Sequence, residues 1–185
     1  MALTPSNMLE LGTEAPPFNL ENVLNQKETS FQDVKGEKGT LIMFICAHCP
    51  YVIHVQEEIA AVAKSYSVSN IGVVGISSND IINYPQDDQA HMKQQAEQAG
   101  FNFPYLFDAT QSVAKAYDAA CTPDFYLFDA DDKLVYRGRL DESRPGNNQP
   151  VSGKELRAAI DSMLVGKAQA DIQYPSIGCN IKWKD

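Results

Sequence analysis

The chain has 185 residues, is 44% hydrophobic and 21% charged, and carries a net charge of −9. That length suits one domain with a substantial core, and the acidity argues against nucleic acid or an anionic membrane surface as a partner. No apolar run reaches the length of a membrane span.

The segment Met1–Asn7 shows neither the basic region nor the apolar core of a signal peptide, so the expected location is the cytoplasm. In that reducing compartment, four cysteines are expected to be catalytic or free rather than structural disulfides. Residues up to about Thr13 read as an arm laid over the fold. Ala15–Leu20 then reads as a strand that returns through Lys27–Phe31 as a hairpin, and Val34–Gly39 as a charged loop.

Thr40–Ile45 is a β-branched and aromatic run without polar alternation, the pattern of a strand buried on both faces. Cys46-Ala47-His48-Cys49-Pro50 follows, and then the period changes. Val52, Val55, Ile59, Val62, Ala63 and Tyr66 recur every three or four residues, which predicts an amphipathic helix with Pro50 in its first turn. A C-x-x-C pair is thereby set where a central strand hands over to a helix N-terminus. Backbone N–H groups and the positive end of the helix dipole favour thiolates there.

The spacing places Cys46 at the exposed start of the helix and Cys49 about one turn further in. Cys46 is expected to attack and Cys49 to resolve the mixed disulfide, with His48 lowering the pKa of Cys46. A structural zinc site requires four ligands, usually as two close pairs, and Cys121 and Cys179 are isolated in the sequence. Redox chemistry is therefore preferred to metal binding or to plain burial.

Ile71–Ser77 reads as a second buried strand, Asp80–Gln86 as a loop and Asp87–Ala99 as a polar surface helix stopped by Gly100. Phe103–Asp108 reads as extended and Ser112–Tyr117 as a short helix. Phe125–Asp129 and Leu134–Gly138 form an antiparallel hairpin, Asp141–Gly153 an exposed loop, and Lys154–Leu164 a last helix. The tail, from about residue 168, ends in Gly178-Cys179-Asn180-Ile181-Lys182-Trp183. The whole reads as a single domain over residues 1–185, an α/β fold with helices on both faces of a mixed central sheet.

Strand–C-x-x-C–helix, then Thr122-Pro123 before a hairpin, then a C-terminal helix, resembles the thioredoxin fold, here with an N-terminal hairpin extension. The opening Gly12-x-x-Ala15-Pro16-x-Phe18-x-Leu20 resembles the alkyl hydroperoxide reductase/thiol-specific antioxidant, or peroxiredoxin-like, branch. The blocks Phe44–Val52, Thr122–Phe125, Tyr136–Arg139 and Gly178–Trp183 are similar to a bacterial group of peroxiredoxin-like thioredoxin-family proteins.

This resemblance implies that Pro123 is cis and faces the thiols, and that Thr122 before it offers backbone hydrogen bonds to an extended substrate. It also raises Asp124 as an acceptor for the Cys49 proton, set against a solvated turn residue. Arg137 and Arg139 are read as outer-face strand residues rather than substrate guides, and His54 and His91 carry no catalytic role. The peroxiredoxin pattern P-x-x-x-(T/S)-x-x-C, laid on Cys49, puts Ile42 at the proline position and Cys46 at the hydroxyl position. Both peroxide-binding groups are missing.

The expected activity is a thiol–disulfide oxidoreductase cycling Cys46–Cys49, with no metal and no organic cofactor, served by a thiol or disulfide protein partner. A peroxiredoxin-like thiol peroxidase is the alternative. A non-enzymatic metal carrier using Cys46, Cys49 and a histidine comes after it. Cys179 reads as a buried tail anchor beside Ile181 and Trp183, or else as a third exchanging thiol. Cys121, two residues before Pro123, competes for that second role.

Overall fold

The computed structural model describes residues 3–184. In chain order the elements are β1 (Leu3–Pro5), β2 (Asn19–Asn22), β3 (Lys27–Ser30), α1 (Phe31–Val34), β4 (Gly39–Phe44), α2 (Pro50–Tyr66) and β5 (Ile71–Ser77). Then come α3 (Gln89–Ala99), β6 (Tyr105–Phe107), α4 (Ser112–Ala116), β7 (Cys121–Thr122), β8 (Asp124–Asp129), β9 (Leu134–Gly138), α5 (Lys154–Leu164) and β10 (Ile177–Asn180).

Seven strands form the main sheet in the order β3-β2-β6-β5-β4-β8-β9. The β4–β5 and β5–β6 pairs are parallel, and the other neighbours are antiparallel. The sheet is therefore mixed, as expected.

β4 lies at the centre and is buried along its whole length. Its side chains alternate between two apolar layers: Leu41 and Met43 join α2, α3 and α5 on one face. Ile42 and Phe44 join Phe31, Val34, Val113 and Ala114 of α1 and α4 on the other. On α2 the buried stripe is Val52, Val55, Ile59, Val62, Ala63 and Tyr66, the six residues the periodicity selects. Burying each of the larger aliphatic side chains contributes about 1.5–3 kcal/mol.

Boundaries differ from expectation where local chemistry intervenes. β2 starts at Asn19 rather than Ala15, because Pro16 and Pro17 have no N–H to give a ladder. β3 stops at Ser30, whose hydroxyl caps α1 in a capping box with Asp33. Asp87 lies buried in a 3₁₀ turn, Pro85–Asp87, ahead of α3, and Asp88 is the N-cap. Gly100 closes α3 in the left-handed conformation expected of it.

The N-terminal arm and the tail, which show no strand pattern in the sequence, pair with each other. β10 lies between β1 and β7 in a separate three-stranded antiparallel sheet. In the tail it is Ile181 that is buried, while Trp183 is 40% exposed with the Lys115 ammonium over its ring, so the indole is not the anchor.

Candidate active site

The two cysteines sit where the central strand ends. β4 stops at Phe44, and the Ile45 N–H still bonds to the Ile76 carbonyl of the neighbouring strand. The chain then turns through Cys46–Cys49 into α2. Cys49 is the N-cap of that helix, with Pro50 at the next position, where no N–H is needed. The Cys49 carbonyl accepts the Val52 and Ile53 N–H groups. All four cysteines are free thiols and buried.

Cys46 is only 1% exposed, which corrects the expected exposed start of the helix. The covering groups come from α3 and from the turn before it. Gln95 donates to the Cys46 carbonyl at 3.3 Å and accepts from the Tyr105 hydroxyl at 3.0 Å.

Thr122 is the residue that all the relevant sulfurs share. The Thr122–Pro123 peptide bond is cis, as the resemblance implies. The Thr122 hydroxyl lies 3.4 Å from Cys46 Sγ, and the Cys49 thiol donates to the Thr122 carbonyl at 3.3 Å. Across the small sheet, Thr122 is the register partner of Cys179. Cys179 is hydrogen-bonded to Cys49 through their sulfurs.

The charge in this dithiol does not fall where the sequence places it. The Cys46 thiol is pushed well up by its hydrogen bond with Cys49, by burial and by the negative charge of Asp87. Cys49 is pulled down by hydrogen bonds from Cys179, Cys46 and Thr122 and by the Val52 N–H, against its own burial. The physical reason is position. The Cys49 sulfur receives hydrogen bonds from Cys179 and Cys46, whereas Cys46 is fully buried next to the Asp87 charge.

His48, expected to lower the pKa of Cys46, faces a carboxylate. Its Nδ1 lies 2.5 Å from Asp87 Oδ2, and its backbone N–H donates to Asp87 Oδ1 at 3.0 Å. Asp87 also accepts from Asn79 Nδ2 at 2.7 Å, and Asn79 Oδ1 accepts the Lys182 backbone N–H at 2.8 Å. The C-terminal tail is thereby tied to the ring beside Cys46.

Asp87, Asn79 and Gln95 escape a reading of the sequence. Each lies in a polar segment that looks solvated, and only the fold turns it inward.

Asp124 is buried, but its partners are the Ser6 hydroxyl at 2.7 Å and the Tyr126 hydroxyl at 3.0 Å. Residues alternate along β8. Phe125 faces the layer that contains Cys46 and Cys49, and Tyr126 faces the other, so Asp124 belongs on the far side of the sheet. It is a structural acid rather than the acceptor for the Cys49 proton, and burial raises its pKa to about 7.

Cys121 is raised strongly by burial and by Asp124, and its thiol contact is the Pro123 carbonyl at 3.9 Å. Arg139 is fixed by a two-pronged ion pair to Glu155, and Arg137 by the Leu9 carbonyl and Gln173.

Among the described residues, Cys46, His48 and Asp87 form the group whose donor atoms come close enough for a metal, within 4.8 Å of one another. That set replaces the expected Cys46, Cys49 and a histidine. It is one ligand short of a structural zinc site, and Asp87 already spends both oxygens on His48 and Asn79.

Two surfaces flank the site. A cleft of about 110 Å³ between α2 and the β10 side is lined by Tyr51, Val55, Pro123, Arg139 and Ile177. A second, of about 270 Å³, carries Ala47, His48, Ile53 and Gln95. No helix among the described residues is long and apolar enough to cross a membrane.

Comparison with known proteins agrees with the fold. The sequence model of the AhpC/TSA family matches residues 11–137. No curated protein matches the chain. A solved structure of an uncharacterized conserved protein from Geobacillus kaustophilus is 54% identical over 100% of this chain and 97% of its own, with a TM-score of 0.97. A hypothetical protein from Sinorhizobium meliloti is 44% identical over 98% of each chain, with a TM-score of 0.95. A secreted disulfide oxidoreductase from Mycobacterium tuberculosis is 17% identical over 78% of this chain and 95% of its own, with a TM-score of 0.61, and shares the fold.

Proposed function

The chain belongs to the AhpC/TSA family, and from that premise we propose that it is a thiol–disulfide oxidoreductase whose working pair is Cys46 and Cys49. The observation that carries this reading is the pair itself, with two hydrogen-bonded thiols at the N-terminus of α2 facing the cis Thr122–Pro123 bond. Cys49 is hemmed in by Cys46, Thr122, Cys179 and its own helix, whereas Cys46 borders the half-buried His48. Cys46 is therefore the thiol a substrate disulfide reaches.

In the reactive form of the reduced pair, Cys49 has lost its proton and the Cys46 thiol donates to the Cys49 thiolate. As a substrate disulfide approaches, that proton passes to Cys49, and the Cys46 thiolate attacks. One substrate sulfur leaves as a thiolate, and a mixed disulfide remains on Cys46. Cys49 then attacks the Cys46 sulfur, forms the intramolecular disulfide and releases the second substrate thiol.

Thr122 and Pro123 form the platform beside which an extended substrate lies, along the cleft lined by Tyr51 and Ile177. His48 sets the charge beside Cys46 by holding Asp87. The cycle requires no metal or organic cofactor, only a thiol or disulfide protein as redox partner, and a reducing compartment such as the cytoplasm keeps the pair charged with electrons.

The test is reduction of insulin disulfides with a dithiol as electron source. Cys46→Ser is expected to abolish it. Cys49→Ser is expected to accumulate substrate bound through Cys46. Insulin reduction that survives Cys46→Ser would overturn the reading.

A further inference from the structure

Cys179 comes from the far end of the chain, yet its sulfur is held in the same cage as Cys49. Three separate features put it there. β10 is locked against β7 with Cys179 opposite Thr122, the residue whose carbonyl contacts Cys49. The Cys179 and Cys49 sulfurs are hydrogen-bonded to each other. The Tyr51 N–H, in the first turn of α2, is a hydrogen-bond donor to Cys179.

The tail is held in this position by more than its strand pairing. The Ile181 N–H bonds to the Ala120 carbonyl, the Lys182 N–H to Asn79, and the Lys182 carbonyl accepts from Gln111 and from the Asp80 N–H.

We propose that Cys179 is a third redox thiol and that Cys49 is a branch point, able to pair with Cys46 or with Cys179. This rests on the oxidoreductase reading for its source of oxidising equivalents. In the added step, the Cys179 thiol, which its hydrogen bond with Cys49 and its burial keep protonated at rest, loses its proton as its sulfur attacks the Cys49 sulfur of the Cys46–Cys49 disulfide. The Cys49–Cys179 bond forms, the Cys46–Cys49 bond breaks, and the electron pair leaves on Cys46. The proton lost by Cys179 is the one Cys46 regains, so the step is redox-neutral. Its product has Cys46 free beside His48 and a disulfide between Cys49, fully buried, and Cys179, 4% exposed.

The experiment oxidises the full-length Cys46→Ser protein with glutathione disulfide and maps disulfide-linked peptides by mass spectrometry, with Cys46→Ala as a second variant and folding checked by circular dichroism. The expected result is loss of the free thiol at both Cys49 and Cys179 and recovery of a peptide joining them. The bridged variant is also expected to be reduced by glutathione more slowly than oxidised wild-type protein, because Cys46 is absent and cannot reopen the bridge. Recovery of only glutathione adducts, or of free thiol at Cys179 in both folded variants, would overturn the proposal. Failure of the wild-type protein to reduce insulin, with the Cys49–Cys179 bridge still formed, would instead overturn the oxidoreductase reading alone.

Discussion

The Asp87 carboxylate holds His48 twice, at Nδ1 and at the backbone N–H, and does so with a buried charge aimed at the Cys46 thiol. Asp87 raises the Cys46 pKa, and the His48 ring is one of the groups that this carboxylate faces. Asp87→Asn removes a charge that raises the Cys46 pKa, so alkylation of Cys46 by iodoacetamide should extend to lower pH. His48→Ala leaves that charge unopposed, so alkylation should require higher pH. The double variant should fall between the two. Peptide masses after alkylation across a pH series report this at Cys46 specifically, and a shift of the same sign in both single variants would contradict the arrangement.

Asp124 gives a pH dependence of stability. Its folded pKa of about 7 lies above the ordinary 3.8, so the native state binds a proton that the unfolded chain has already lost. Stability contributed by this group is present below about pH 4 and is lost as pH rises toward 7, at up to about 1.4 kcal/mol per pH unit. Asp124→Asn should flatten that decline and make the protein more stable than wild type near pH 8. Denaturant unfolding at pH 5 and pH 8 measures it, and parallel profiles for the two proteins would contradict the assignment.

Gly178 controls how closely β10 approaches Thr122. A Cβ there would lie 2.0 Å from the Thr122 carbonyl oxygen, so Gly178→Ala must push the strand away. The expected loss is about 1–3 kcal/mol of stability, as for other overpacked positions. Cys179 should also be alkylated faster, because its cage opens. Unchanged unfolding and unchanged alkylation would show that the strand is not held in this way.

Hydrogen peroxide should oxidise the reduced protein much more slowly than a protein disulfide does. The position a peroxiredoxin gives to proline is here Ile42, buried within β4 among the residues of the opposite apolar layer, and the hydroxyl position is Cys46 itself. Stopped-flow oxidation by peroxide at a rate matching that by insulin would favour the peroxidase alternative.

Much of this structure is legible in the sequence because its signals are local. The apolar run before Cys46 and the three-and-four spacing after Pro50 fix β4 and α2, and with them the place of the thiol pair. Thr122-Pro123 before a hairpin marks the facing residue. What is not legible depends on contacts between distant segments. The pairing of β1 with β10 is made of short strands without alternation, and nothing near Cys179 says that it returns to Cys49.

The charge distribution also escapes, for the same reason. His48 looks like a direct partner of Cys46, but its Nδ1 is taken by Asp87, 39 residues away in sequence, so any effect on the thiol runs through that carboxylate. Asp124 reads as an acceptor for the Cys49 proton or a solvated turn residue until the period of β8 and the Ser6 hydroxyl place it on the other face.

The most direct measurement is equilibration of the protein in glutathione buffers of increasing oxidising power, followed by differential alkylation and peptide mapping. The account predicts that Cys46 and Cys49 lose their free thiols together, as a two-electron step, that a Cys46–Cys49 peptide is recovered, and that returning to reducing buffer restores both thiols. If both thiols persist across the whole range, or if Cys46 ends only as a glutathione adduct with Cys49 still free, the pair is not a redox disulfide and the account fails.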